Sequence, residues 1–243
     1  MEENSIVKKI MKSFRMLLIQ TFREGILFVI LLAPLLIGIL FKFVIPEINV
    51  LLSKEFNEEN ILTSYYPLFD LLLAVLTPYM FSFVASMTML DEYDSNIINH
   101  ISITPIKKSG YLISRLVIPT IFAFVVTIFM LFVFTISKWN LLEIVIVSFL
   151  TSIMSISLAL IMFSFSKNKT EGMAIAKLSG LLAMGIFIPY FISDNIQYVF
   201  GIFPSLWIAK YFQSGNLLYA MFAIILLIVW ILPLYHKFTK KLS

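Results

Sequence analysis

The sequence has no cysteine, two histidines and a charged fraction of only 13%. Without cysteine there is no disulfide, no thiolate metal site and no sulfur nucleophile. The histidines, His100 and His236, fall in separate polar segments, and neither an H-E-x-x-H pair nor a phosphate-binding G-x-x-x-x-G-K-[ST] loop occurs. The chain therefore offers no catalytic residue, no metal-ligand set and no cofactor site of its own, and it does not read as an enzyme. A formal net charge of +4 over 243 residues is too small to recruit nucleic acid. Acidic residues are also missing from the middle of every long apolar run. A charge there costs roughly 2.5 to 3.5 kcal/mol on insertion and so marks an ion pathway, and its absence argues against an ion-coupled carrier.

Hydrophobic residues make up 60% of the chain, and phenylalanine alone occurs 24 times. Several apolar runs reach the roughly 20 residues that cross about 30 Å of hydrocarbon, so the fold class is an all-α integral membrane protein. Six transmembrane helices are expected, over about 25–45, 67–90, 111–137, 141–165, 173–192 and 217–235, as a single transmembrane domain over 1–243. Residues 5–23 precede them as an amphipathic interfacial helix. Its apolar face carries Ile6, Ile10, Phe14, Leu17 and Leu18, and its opposite face Lys8, Lys12, Arg15 and Arg23. No small-residue cleavage motif follows the first apolar run, which reads as a retained anchor. Lys138, Trp139 and Asn140 alone separate spans three and four, which makes them an antiparallel hairpin. Between spans five and six, residues 194–215 hold an apolar stretch too short to cross, broken by Gly201 and Pro204. It reads as an outer re-entrant pair of short helices with Tyr198, Trp207 and Tyr211 at headgroup level.

Basic residues fix the orientation. Twelve of them (Lys8, Lys9, Lys12, Arg15, Arg23, Lys107, Lys108, Lys167, Lys169, Lys237, Lys240 and Lys241) lie in one set of polar segments, and three (Lys54, Lys138 and Lys210) in the other. Both termini are therefore cytoplasmic in a plasma-membrane, multi-pass protein. The longest polar interruption on that side is LDEYDSNIINHISITPIKK, residues 90–108. Tyr93, Ile97 and Ile101 recur at helical spacing with Ile98 beside them, opposite Asp94, Ser95 and Asn99. Thr104 before Pro105 stops such a helix near Ile103. A short amphipathic helix of this kind lies on the membrane or docks into a partner's groove.

The remaining charges suggest two clusters. Asp91, Glu92, Asp94 and Glu171 lie near inner span ends, and Arg115 and Lys177 one to two turns inside, so they can form an inner charge shell. Lys42 and Asp70 sit at similar depth near the outer ends of spans one and two, which allows an ion pair.

The order of elements resembles the membrane subunit of type-2 ABC exporters. Residues 91–116, DEYDSNIINHISITPIKKSGYLISRL, are similar to the family's acidic stretch, short helix, Thr-Pro, Tyr-Leu and basic residue, with Thr104, Pro105, Tyr111, Leu112 and Arg115 at those places. EGMAIAK at 171–177 and FPSLWIAKYF at 203–212 are similar to later family stretches. Arg115 stands where lysine is more usual, and Asn96 about where many relatives have glycine. The resemblance implies a permease subunit in the lipid bilayer that forms half of a translocation pathway. Its implied partners are a second permease subunit, the same chain or another, and a separate cytosolic ABC ATPase that holds ATP and Mg. It makes the helix over 93–103 the coupling helix, with Tyr93, Ile97, Ile98, Ile101, Thr104 and Pro105 as its ATPase-coupling residues. The alternative is a non-transporting immunity or sensor protein that binds a peptide or drug at its outer face.

Overall fold

A computed structural model describes residues 2–58, 61–98, 107–192 and 195–242. Their elements in chain order are α1 (Glu2–Arg23), α2 (Gly25–Phe56), a 3-10 turn (Thr63–Tyr65), α3 (Tyr66–Asp94), α4 (Lys107–Leu112), a π-helical stretch (Ile113–Val117), α5 (Ile118–Phe134) and α6 (Leu141–Phe165). After α6 come α7 (Lys169–Ser179), a 3-10 stretch (Gly180–Phe187), α8 (Ile188–Phe191), a second 3-10 stretch (Asn195–Phe200), α9 (Pro204–Ser214) and α10 (Leu217–Lys241). Among the described residues six helical stretches are long and apolar enough to cross a membrane: Gly25–Phe56, Thr63–Asp94, Gly110–Phe134, Leu141–Phe165, Lys169–Phe191 and Leu217–Lys241. The protein is an all-α, multi-pass membrane protein.

The second and fourth spans form the centre. Their apolar windows are 61% and 67% buried, against 17% for α2 and 22% for α10, whose flanks face outward. Lipid is as apolar as leucine, so burial of apolar area does not drive helices together in a bilayer, and close backbone approach does. The contact between α3 and α6 combines large side chains, such as Leu71, Met87 and Leu90 with Leu150, Met162 and Phe163, with small residues between them. Ser86 Oγ bonds the Ser82 carbonyl at 2.8 Å and reaches the Ala159 carbonyl of α6 at 3.4 Å. Thr77 and Thr151 return their hydroxyls to their own helices, at 2.8 and 2.9 Å.

Three boundaries differ from the hydropathy pattern, each for a local reason. Helix α2 runs past Pro46 to Phe56, because a proline disturbs the turn before it and not the turn after. The third span's α5 ends at Phe134 and not at 137, because Asp70 takes the N–H groups of Ile136 and Ser137 out of the helix. The sixth span continues through the basic tail to Lys241, where Lys241 Nζ donates to the Phe163 carbonyl at 2.6 Å and to that of Ser166.

Helix α1 packs its apolar face on the bundle. Phe14 and Leu17 are buried with Ala85, Leu18 and Ile118, and Lys12 and Arg15 are exposed. At the other end the expected re-entrant pair is present, divided at residues 201–203. It sits tightly on the fifth span at Gly185, where a Cβ would come to 2.7 Å from the Leu206 backbone nitrogen and 3.0 Å from Phe203 Cβ. Ser205 Oγ donates to the Leu182 carbonyl in the same contact. That carbonyl lies in the 3-10 stretch, whose looser backbone bonding leaves oxygens for side chains to take.

Candidate functional site

At the inner end, α3 delivers Glu92 in its last turn, and the π-helical stretch delivers Arg115. The wide turn has a cause in the sequence. Pro119 lies four residues after Arg115, has no N–H for the Arg115 carbonyl, and would press its ring against that carbonyl in a regular α-helix. Arg115 Nε donates to Glu92 Oε2 at 3.1 Å and Nη2 to Oε1, a two-pronged pair with both residues 4% exposed. Tyr111 Oη donates to Glu92 Oε2 at 2.9 Å. The third prong, Nη1, donates to the Ser13 carbonyl of α1 at 2.7 Å and reaches Ser13 Oγ at 3.3 Å. Ser13 and Ser114 share a hydroxyl contact at 3.1 Å. A lysine could neutralise Glu92 but could not bond it twice and hold α1 as well, so arginine at 115 has a geometric reason.

A second, more exposed set lies beside it. Lys169 Nζ bonds Glu24 Oε2 at 2.6 Å and stands 3.8 Å from Asp91 Oδ1, while its backbone N–H donates to Asp94 Oδ2 at 3.1 Å. Glu171 accepts the Lys167 N–H at 2.7 Å, and Asn168 Oδ1 caps α7 from the other side. Of the inner shell expected from sequence, Asp91, Glu92, Asp94, Arg115 and Glu171 are thus at this end, in two groups. Lys177 is exposed and makes no ion pair among the described residues.

These groups surround the point where the chain leaves α3. Ser95 Oγ donates back to the Asp91 carbonyl at 2.7 Å, and Asn96 turns the backbone at φ 57°. That left-handed conformation suits glycine first and asparagine next. Here the expected helix over 93–103 needs correction, because Asn96 separates Tyr93 from Ile97. Tyr93 belongs to α3, edge-on to Phe163 at 5.9 Å. Beyond the turn, Ile98 is buried with Leu90, Tyr111 and Phe163, while Ile97 is 46% exposed. Ile101, Thr104 and Pro105 lie outside the described residues.

At the outer end the expected Lys42–Asp70 pair is replaced by separate partners. Lys42 Nζ donates to the Val133 carbonyl. Asp70, 1% exposed, accepts the N–H groups of Ile136 and Ser137 and the Trp139 indole, each at 2.9 Å, and also the Ser137 hydroxyl. It ties the third-to-fourth turn to the second span. Trp139 then stacks on Phe212 of α9 at 3.9 Å. Asp70→Ala strands these donors and is expected to destabilise the protein by on the order of 3 kcal/mol, read as a lower melting temperature in detergent with a change in tryptophan emission.

Beside Phe212 lie two adjoining outer cavities. One, of about 490 Å³, is lined by Ser64, Tyr65, Pro67, Pro189, Tyr190, Phe212 and Gln213. The other, of about 300 Å³, is lined by Pro189, Ile192, Gln197, Lys210, Gln213, Ser214 and Tyr219. The Lys210 ammonium stands 3.7 Å from the Tyr198 ring centre. Hydrogen bonding to Lys210 first and to Tyr219 second, with the Lys210 charge third, holds the Tyr198 phenol below the ordinary tyrosine range.

Sequence reasoning did not single out Ser13, Lys169, Glu24 or Lys210. Ser13 had a signal, since it interrupts the apolar stripe between Ile10 and Leu17 on α1. Lys169 and Glu24 had none, because a polar loop and a helix junction carry no periodicity that pairs them.

A family model described as fluoroquinolones export permease protein Rv2686c-like matches residues 18–235. Two curated proteins of Mycobacterium tuberculosis are similar over most of their length. They are the fluoroquinolones export permease proteins MT2760, of strain CDC 1551 / Oshkosh, and Rv2686c, of strain ATCC 25618 / H37Rv. Each is 27% identical over 207 residues, which is 81% of this chain and 78% of the relative. No solved structure matches the chain.

Proposed function

We propose that this chain, which belongs to the Rv2686c-like family of fluoroquinolones export permeases, is the membrane half of an exporter driven by a separate cytosolic ATPase. The observation that carries the reading is Ile97, a large apolar side chain 46% exposed on a polar inner surface. Its neighbours are fixed from beneath by Ile98 and by the buried Glu92–Arg115 pair. An exposed isoleucine on a rigid base is what a groove on another protein can push against, whereas one on a loose loop would transmit no displacement. With no phosphate-binding loop in the sequence, ATP and Mg belong, in this reading, to that other protein. In this reading Ile97, Ile98, Ile101, Thr104 and Pro105 form the coupling segment, Tyr93 braces its root, and α1 joins it through Ser13. A second permease subunit completes the pathway, against the outward-facing flanks of the bundle.

The relatives' names make a fluoroquinolone the first substrate to try. Cells that express this chain with its cognate ATPase are expected to accumulate less of a fluoroquinolone than cells with the ATPase alone. Ile97→Asp is expected to abolish the difference at unchanged protein level. Equal accumulation with and without the chain, for fluoroquinolones and for other amphiphilic drugs, would count against the reading.

A further inference from the structure

We propose that the outer end carries an oxyanion subsite in which Lys210 receives the carboxylate or phosphate of an amphiphile. Lys210 is 7% exposed as a residue and lines an outer cavity, whereas a lysine near a membrane surface ordinarily extends its ammonium into the headgroups. Among the described residues no carboxylate pairs with it, and the three ion pairs lie at the opposite end of the bundle. Its neighbours are Tyr198, whose ring centre lies at 3.7 Å and whose phenol it hydrogen-bonds, and the Tyr219 ring at 5.4 Å. A ring face attracts a cation but leaves its formal charge in place. Those two rings account for the tolerance of the ammonium without supplying it a counter-ion.

The surroundings suit an anion's other needs. Gln197, Gln213 and Ser214 line the same cavity of about 300 Å³; the two glutamines supply amide donors, and the Ser214 hydroxyl is given to the Lys210 carbonyl at 2.8 Å. Through the shared Pro189 and Gln213 it adjoins the cavity of about 490 Å³, whose walls include Tyr65, Tyr190 and Phe212. A charged head beside Lys210 and an apolar or aromatic body between those rings would fill both. Individually they fall at the small end of the roughly 300 to 1,000 Å³ of small-molecule pockets. The chemistry is common to a dissolved organic anion and to the headgroup of an anionic lipid. It is independent of which motor drives the protein.

The test uses the full chain in lipid nanodiscs, with radiolabelled 2-naphthoate as probe and equilibrium dialysis as readout. In phosphatidylcholine discs, saturable binding is expected. It should fall at least tenfold in Lys210→Gln, survive in Lys210→Arg, and be absent for the cationic analogue 2-naphthylmethylamine. Gln213→Glu keeps Lys210 and changes an exposed residue, so it should fold normally. Its built-in carboxylate should fill the subsite and abolish naphthoate binding as well. Phosphatidylglycerol in the discs separates the two sources: displacement of naphthoate assigns the subsite to a lipid headgroup, and undiminished binding assigns it to a dissolved anion. Naphthoate binding that neither Lys210→Gln nor Gln213→Glu reduces would overturn the proposal. So would the absence of saturable binding together with no Lys210-dependent enrichment of phosphatidylglycerol around the protein.

Discussion

Arg115→Met is expected to destabilise the protein by about 3 to 5 kcal/mol, the range for removing one partner of a buried ion pair. The loss has two parts. Glu92 would be left 4% exposed with only the Tyr111 hydroxyl to answer its charge, and the Ser13 carbonyl of α1 would lose its donor. Glu92→Gln alone should cost less, since its amide oxygen still accepts from Tyr111 and from Arg115 Nε, although its NH2 then faces the donor Nη2. The double replacement Glu92→Met with Arg115→Met should recover much of the loss, because two apolar side chains in a buried site leave no charge unpaired. Arg115→Lys should fall between, keeping the charge but losing the second prong and the reach to α1. Thermal unfolding in detergent of the parent, Arg115→Met, Glu92→Met and the double replacement gives the coupling energy. Additive effects of the two methionine substitutions would mean that the pair is not the connection between α1 and α3.

Gly185→Val is the second large effect expected. Any Cβ at this position meets the backbone nitrogen of Leu206 at 2.7 Å, and a backbone atom cannot rotate away. Valine would force α9 off the fifth span and break the Ser205–Leu182 bond, at a cost of about 3 kcal/mol or more. Gly172→Ala is the control. Its Cβ meets the Leu90 methyl and then Met87 Cε at 3.4 Å, the far ends of flexible side chains, so the expected loss is small. A Gly185→Val protein as stable as the parent, with unchanged tryptophan emission, would show that the re-entrant pair is not seated on the fifth span.

The spans were legible because hydropathy reports the one coordinate it depends on, depth in the bilayer. Six apolar runs became six helical stretches, and the short apolar piece after the fifth became the divided pair at Asn195–Phe200 and Pro204–Ser214. Helix ends were less legible, because a helix does not stop where the hydrocarbon does. Helix α2 carries Glu47, Lys54 and Glu55 beyond its apolar run. Partner choice was legible only where chain order helped. Arg115 flanks the same polar segment as Asp91 and Glu92, which puts them in one charge shell without saying which acid takes the guanidinium, whereas Lys42 and Asp70 were matched by depth alone. Depth does not say which way around a helix a side chain points, and Asp70 points to the turn at 135–140, where four donors satisfy it, while Lys42 bonds the Val133 carbonyl. Lys210 was invisible for a related reason: a lysine in an outer segment ordinarily reads as a solvated one, and only its burial marks it.

The family assigns export to this chain, and the central claim beyond that is the separate motor. Its most direct test is purification of the tagged protein from its native membrane in mild detergent, with the co-purifying chains identified and their ATPase activity measured. The account predicts a cytosolic ATPase recovered with the wild-type chain and lost with Ile97→Asp, while the permease itself stays folded and abundant. A stable, transport-competent complex with no ATPase, or one whose ATPase is retained when Ile97 is replaced by aspartate, would contradict it.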